Sequence, residues 1–169
     1  MAINKKVTSR LNNDIFLNFL HTEDTLLLVS GVPLRNGDSH VTEVADLCLS
    51  LRNRMSSACL DVLSGRGIGL KFGVCTGCVA AGIVGLKMPR YLLFGDTVNM
   101  ASRMQSTSKP HGIHLSPSSA ALLQHRQVYL MEPRTPVQIK GKGVMETYWL
   151  LGKIPPPRET PLFVSTELF

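Results

Sequence analysis

The sequence has no hydrophobic run approaching the roughly 20 residues that a membrane-spanning helix needs. Its first six residues, Met1 to Lys6, also lack the apolar stretch of a secretory signal peptide. These two absences predict a soluble, cytoplasmic chain with no membrane span of its own.

The chain is also poor in charged residues (18%) and aromatic residues (6%), whereas hydrophobic residues make up 44% of it. This composition is typical of a folded globular domain, and 169 residues are enough for one core. The net charge of +6 is compatible with a nucleic-acid partner, but the basic residues are scattered and no basic-aromatic stripe is present. We therefore expect no nucleic-acid partner.

Only four cysteines are present, which argues against a disulfide framework. Cys75 and Cys78 form a C-x-x-C pattern, which is found in redox pairs and in half of a zinc site. There is no second C-x-x-C, and the pair follows a predicted strand rather than a helix start, where thiols are activated. We interpret it as a coincidental pair of small side chains, with a redox role as the alternative.

Hydrophobic periodicity predicts alternating helices and strands, and therefore an α/β (α+β) sandwich with helices packed on one sheet. A tail from residue 154 contains three consecutive prolines and no periodicity, which predicts disorder. The strand at 79–84 is expected to follow the strand at 68–74 as a hairpin. The predicted helices are 10–20, 39–63, 97–107 and 116–123, and the predicted strands are 25–29, 68–74, 79–84, 91–94, 113–115, 128–131, 137–139 and 147–151.

Residues 88–104 are the most informative segment of the chain. An apolar run ends at a Gly-Asp turn, and a helix follows for which Asp96 or Thr97 is the expected N-cap. On this helix Asn99 and Arg103 are four residues apart and project from one face. Arginine offers a planar, charged fork to phosphate oxygens, and asparagine both donates and accepts. The pattern favours a site for a phosphorylated ligand; the alternative is an Arg103 that pairs with a nearby carboxylate.

Four ordered motifs resemble those of the class III nucleotidyl cyclases. Residues 88–104, M-P-R-Y-L-L-F-G-D-T-V-N-M-A-S-R-M, are similar to the signature in its guanylate cyclase form, M-P-R-Y-C-L-F-G-D-T-V-N-x-A-S-R-M. Residues 73–85 resemble G-x-x-x-G-x-V-x-A-G-V-V-G, 139–150 resemble L-K-G-K-G…E-T-Y/F-W-L, and 30–40 resemble S-G-L-P-x-R-N-G-x-x-H. The likeness runs from about residue 24 to 153 and implies the ferredoxin-like βαββαβ core of that family.

The resemblance implies a guanylate cyclase domain at 22–153, which converts GTP to cyclic GMP and pyrophosphate with two Mg²⁺ or Mn²⁺ ions. Carried over by motif, Asn99 orients the ribose, Arg103 stabilises the transition state and Lys140 binds the terminal phosphates, with Lys142 a less suitable choice. Active sites of the family lie between two domains, so the resemblance also implies a homodimer or a heterodimer with another cyclase domain.

The chain departs from the family at the metal and base ends of the site. The motif F-x-D-I-x-G-F-T, which carries the first metal-binding aspartate, is absent, and only Asp24 falls in register with the second. Leu92 replaces the base-reading cysteine, and leucine cannot hydrogen-bond a purine.

We therefore expect an N-terminally truncated domain that is inactive alone or dependent on a partner. Residues 1–21 are expected to be a remnant of the family's early helix, and residues 154–169 a disordered tail. The R-N-G segment and the E-T-Y-W ending resemble receptor-type cyclases, which implies a membrane-anchored parent. The alternatives are a catalytically dead cyclase-like dimerisation partner and an incomplete gene-model fragment.

Overall fold

The computed structural model describes residues 15–16, 25–58 and 69–155. These residues form strands and helices that alternate along the chain. In order they are β1 (Ile15–Phe16), β2 (Val29–Ser30), α1 (Ser39–Ala58), β3 (Phe72–Val74), β4 (Ala80–Val84), β5 (Arg90–Phe94), α2 (Asp96–Ser106), β6 (Ile113–Leu115), α3 (Pro117–Arg126), β7 (Tyr129–Ile139) and β8 (Gly143–Lys153).

A four-stranded mixed sheet in the order β3-β6-β8-β7 forms the centre of the fold. Strands β3 and β6 are parallel, and the chain between them contains the β4–β5 hairpin and α2. Strand β8 is antiparallel to both of its neighbours, and β1–β2 and β4–β5 form separate antiparallel pairs. The result is an α+β fold with a mixed sheet.

Helices lie on both faces of this sheet. The side chains of a strand alternate between the two faces, so one strand contacts helices on each of them. In β6, Ile113 and Leu115 join the larger core, which α1 and α3 complete, whereas His114 between them contacts the backbone of α2. A smaller core of three buried residues lies beneath α2. The larger core contains Val41, Ala45, Cys48, Leu49, Val74, Ile113, Leu115, Ala120, Leu123, Tyr129 and Leu150; the smaller contains Met100, Met104 and Ile139.

Most predicted elements are confirmed within the described residues. Helix α3 begins as its sequence indicates: the Ser116 hydroxyl accepts a hydrogen bond from the Ser119 amide at 3.3 Å, and Pro117 occupies the first turn. Helix α1 begins at Ser39 as predicted.

The predicted helix at 10–20 is wrong at Ile15–Phe16, which form a strand paired with Val29–Ser30. A β-branched and an aromatic residue favour strand pairing, and here tertiary contact outweighs the helical period. The rest of that predicted helix lies outside the described residues. The strand expected at 25–29 is reduced to β2, with Thr25 in an isolated bridge.

Strand β4 forms its hairpin with the following strand β5, not with β3. The two strands predicted at 128–131 and 137–139 are one strand, β7, despite Pro133 and Pro136. Proline is tolerated there because β7 is an edge strand of the described sheet, and its register shifts between Arg134 and Val137.

The predicted tail is described only at residues 154–155. There the Ile154 amide donates a hydrogen bond to the Val128 carbonyl at 2.9 Å, which extends the β7–β8 end of the sheet by one contact. The prediction of disorder from residue 156 onward falls outside the described residues.

No helix among the described residues combines the length and the hydropathy needed to cross a membrane.

Candidate functional site

Helix α2 carries Asn99 and Arg103, and its first turn is fixed by tertiary contacts. Its N-cap is Gly95, whose φ of 130° is unfavourable for a residue with a side chain. The prediction of a side-chain cap by Asp96 or Thr97 is wrong, since no such hydrogen bond is formed. Instead, the Thr97 hydroxyl donates to the Cys78 carbonyl at 2.7 Å, which ties the helix start to the loop before β4.

The far end of α2 is held by residues that the motifs did not single out. The His114 ring, fully buried, donates from Nδ1 to the Met104 carbonyl at 2.9 Å, and Arg134 Nη1 donates to the Thr107 carbonyl at 2.8 Å. Burial first, and the nearby Arg134 charge in addition, lower the pKa of His114. The guanidinium of Arg134 also lies 4.7 Å from the centre of the Trp149 ring. A cation at the C-terminus of α2 complements the helix dipole, so both ends of α2 are anchored.

The Arg103 guanidinium lies beside the turn that joins β7 to β8. A methyl group added to Gly141 in that turn would be 3.9 Å from Arg103 Nη2. The other terminal nitrogen, Nη1, is 4.0 Å from the Met100 sulfur. Among the described residues, no carboxylate oxygen lies within 4.0 Å of this guanidinium. The alternative interpretation was that Arg103 pairs with a nearby carboxylate. Among the described residues it has no such partner.

The two lysines of the same turn have different surroundings. Lys142 Nζ is 2.7 Å from Asp96 Oδ2, so this lysine pairs with the first residue of α2. Lys140 is exposed and forms no ion pair with any residue in the described ranges. The turn thus meets α2 through one paired lysine and offers a second to solvent, which favours Lys140 over Lys142 as an anion ligand.

Asn99 is exposed, one helical turn before Arg103. Because residues four apart share a helix face, its amide and the guanidinium are neighbours on the side of α2 near the turn. The structure therefore brings Arg103 and the Lys140–Gly143 turn together, with Asn99 adjacent on the same helix.

Leu92 lies in the middle of β5, half-buried and paired with Gly82 of β4. It precedes α2 by a short turn and contributes no polar group to the site. The predicted metal ligand Asp24 lies outside the described residues, so its position relative to Asn99 and Arg103 stays a prediction.

A two-ion metal site is not found in the part of the chain that the structure describes. No group of three or more His, Cys, Asp or Glu residues is placed there to hold a metal ion. Hard divalent cations need several oxygen ligands, and the α2 side of the site offers an amide and cations instead. The described residues do not fit a pair of Mg²⁺ or Mn²⁺ ions.

The Asp96–Lys142 pair gives a first testable prediction. Asp96→Asn should lower the free energy of unfolding by no more than about 1 kcal/mol, because the side chains are 61% and 38% exposed and water screens the pair. Urea denaturation at low and high salt measures this, with the difference between variant and wild type shrinking as salt rises. A loss of about 3 kcal/mol or more would show instead that the pair is desolvated.

The fold and the site together define an α+β domain in which one anchored helix presents an amide and a guanidinium beside a lysine-containing turn. The sequence profile of the adenylate and guanylate cyclase catalytic domain matches residues 20–152. The chain belongs to this family, and the predicted family and fold class are confirmed.

Two of the similar proteins carry the name guanylate cyclase. Guanylate cyclase 2G of Mus musculus is 39% identical over 170 residues, covering 94% of this chain. Receptor-type guanylate cyclase gcy-13 of Caenorhabditis elegans is 48% identical over 130 residues, covering 76% of this chain. The chain spans only 16% and 13% of the lengths of these two relatives.

Solved structures agree with the sequence comparison. The guanylate cyclase domain of RhGC from Catenaria anguillulae, in complex with GTP, has a TM-score of 0.71 and 32% identity, covering 79% of this chain and 71% of that one. The non-canonical dimeric guanylyl cyclase domain of the RhoGC fusion protein from Blastocladiella emersonii has a TM-score of 0.61 and 31% identity, covering 73% of this chain and 65% of that one.

Proposed function

We propose that this chain supplies one half of a guanylate cyclase active site and makes cyclic GMP only in a dimer with a domain that supplies the other half. The observation that carries the proposal is the Arg103 guanidinium beside the Lys140–Gly143 turn, with no carboxylate bound to it among the described residues. A permanently charged fork next to an exposed lysine suits a triphosphate.

Each of the three side chains has a role that its chemistry supports. Cyclisation moves the ribose 3′-oxygen onto the α-phosphorus and expels pyrophosphate. Asn99 can hold the ribose through its amide, which fixes the attacking oxygen in line. Arg103 can donate to the α-phosphoryl oxygens as their charge grows in the transition state, and Lys140 can neutralise the leaving phosphates.

The proposed domain comprises residues 22–153, and the missing metal-binding motif is the reason for requiring a partner. One carboxylate, Asp24, cannot hold two divalent ions. In our proposal the metal-binding carboxylates belong to the partner domain, and this chain contributes Asn99, Arg103 and Lys140. The RhoGC domain is a structural neighbour of this chain that forms a non-canonical dimer, and it supports only the dimerisation in this proposal.

Leu92 alters the proposed substrate preference. A site that reads a base through hydrogen bonds rejects the wrong base strongly, because its buried polar groups need a partner. A leucine at this position removes one such group. We infer that a mixed dimer containing this chain prefers GTP over ATP less strongly than an intact cyclase does.

A second candidate function is a catalytically dead dimerisation partner that regulates another cyclase domain. The absence of F-x-D-I-x-G-F-T and the Leu92 substitution both favour it. The receptor-type relative supports a further proposal, that the parent protein is membrane-anchored and holds this domain in the cytoplasm. An incomplete gene model is the remaining alternative, and an adjacent exon that encodes the missing motif would support it.

The test is complementation of cyclic GMP formation in an inactivated partner domain. The partner is a guanylate cyclase domain with both aspartates intact, in which its own signature asparagine and arginine are replaced by alanine. With GTP and Mn²⁺, we expect no cyclic GMP from either protein alone and clear production from the mixture. Production by this chain alone would contradict the proposal, and no production from a mixture that forms dimers would favour the dead partner.

A further inference from the structure

We propose that Cys75 and Cys78 form a reversible disulfide on oxidation, and that this bridge alters the start of α2. Both side chains are free thiols in the structure. The proposal adopts the redox alternative for the C-x-x-C pattern in place of a coincidental pair, and its test is independent of nucleotide turnover.

The two thiols lie in the loop between β3 and β4 and differ in their surroundings. Cys75 is half-buried and packs against the Met100–Met104–Ile139 cluster beneath α2, whereas Cys78 is exposed. Two residues separate them, and the C-x-x-C disulfides of redox proteins have the same spacing. A bridge therefore joins a thiol in contact with the α2 cluster to one in reach of solvent and oxidant.

The same loop forms hydrogen bonds with both α2 and α3. The Cys78 carbonyl accepts from the Thr97 hydroxyl at 2.7 Å, and the Thr76 carbonyl accepts from the Ser118 hydroxyl at 2.8 Å. The contact at Gly77 is tight, since a methyl group added there would lie 2.6 Å from Thr97 Oγ1. We therefore expect a change in loop conformation to displace Thr97, which is in the first turn of α2, two residues before Asn99.

Other surroundings make a thiol inert, as Cys48 illustrates. Burial in the larger core raises the pKa of Cys48 to about 12, so its reactive thiolate form is scarce near neutral pH. Cys78, by contrast, is exposed, which is a requirement for attack by an oxidant.

The oxidation is balanced with hydrogen peroxide as the oxidant. The Cys78 thiol loses its proton, the thiolate attacks one peroxide oxygen and the O–O bond breaks; a sulfenic acid forms, and the leaving hydroxide takes up the released proton to give one water. The Cys75 thiol then attacks the Cys78 sulfur, the S–O bond breaks, and a second water leaves. Two thiols are oxidised and one peroxide is reduced, and dithiothreitol reverses the change by thiol–disulfide exchange.

The experiment treats the full chain with hydrogen peroxide and counts thiols after denaturation. We expect the count to fall from the four of the sequence to two, with a mass loss of two hydrogen atoms and a peptide that links Cys75 to Cys78. Hydrogen exchange of the Asn99 amide, which bonds to the Gly95 carbonyl in the reduced chain, should become several-fold faster in the bridged form and recover with dithiothreitol.

Matched variants decide the assignment. Cys59→Ser should still lose two thiols, whereas Cys75→Ser and Cys78→Ser should each form no intrachain bridge. A bridge from Cys78 to another cysteine, or a folded chain whose thiols resist peroxide while the denatured chain reacts, would overturn the site. An unchanged Asn99 exchange rate in the bridged chain would overturn its coupling to α2. None of these readouts needs GTP, so they stand apart from any failure of the proposed cyclase activity.

Discussion

Arg103→Ala in the complementation mixture should reduce cyclic GMP formation by about 100- to 1000-fold, the usual cost of removing one preorganised donor to a developing oxyanion. The effect should fall on kcat more than on KM, because the interaction strengthens as charge builds at the α-phosphate. Arg103 also has no carboxylate partner among the described residues, so its loss leaves no buried charge unpaired. Single-turnover and steady-state assays of the mixture measure the change.

A matched control separates this role from a general loss of positive charge. Arg126, an exposed residue in the last turn of α3, also changes the net charge by one when it is replaced by alanine. Arg126→Ala should leave the activity of the mixture within about twofold, since salt screens the effect of an exposed charge outside the proposed site. Equal losses from the two variants would refute the assignment of Arg103 to the phosphate.

Gly73→Ala should lower the free energy of unfolding by about 3 kcal/mol, the upper part of the range for overpacking. Gly73 lies in β3 directly under α2, and an added methyl group would be 2.1 Å from the Gln105 amide nitrogen and 2.4 Å from the Ala101 carbonyl oxygen. Both atoms belong to the helix backbone, so no side-chain rotation can relieve the clash. Either α2 moves away from the sheet or the domain loses stability, and urea denaturation measures the loss.

Gly82 provides the control for the same chemical change. A methyl group there has no atom within 4 Å, and Gly82 is not among the glycines with positive φ. Gly82→Ala should therefore change the free energy of unfolding by less than about 0.5 kcal/mol, or stabilise slightly by restricting the unfolded chain. A Gly73→Ala variant as stable as Gly82→Ala would show that α2 does not lie this close to β3.

Local signals in the sequence were sufficient to predict elements whose conformation depends on neighbouring residues. Ser116 and Pro117 marked the start of α3, and the Gly95 turn marked the start of α2, because caps and turns depend on a few adjacent residues. The strand at Ile113–Leu115 was predicted with its observed bounds. In contrast, the helix predicted around Ile15–Phe16 failed, since the pairing of those residues with Val29–Ser30 is a non-local contact.

The candidate site was also predicted only in part: the motif residues were identified, and the residues that support them were not. The motif order predicted Asn99, Arg103 and Lys140, and α2 does place the first two on one face. The residues that hold α2 in place were missed: Thr97 bonds to Cys78, and His114 and Arg134 bond to the last carbonyls of the helix. No spacing rule connects these residues, because they are between 10 and 27 positions away from the groups they contact.

By itself, the order of residues determined the family and the identity of the helix that carries an amide and a guanidinium four positions apart, because helical periodicity and motif spacing are properties of neighbouring residues. Only the tertiary structure decided that Lys142 pairs with Asp96 while Lys140 remains exposed, and that α2 packs on the opposite sheet face from α1 and α3. These arrangements depend on which strands pair and on which sheet face each side chain lies. Strand pairing and side-chain burial are determined by contacts between residues that are distant in the sequence.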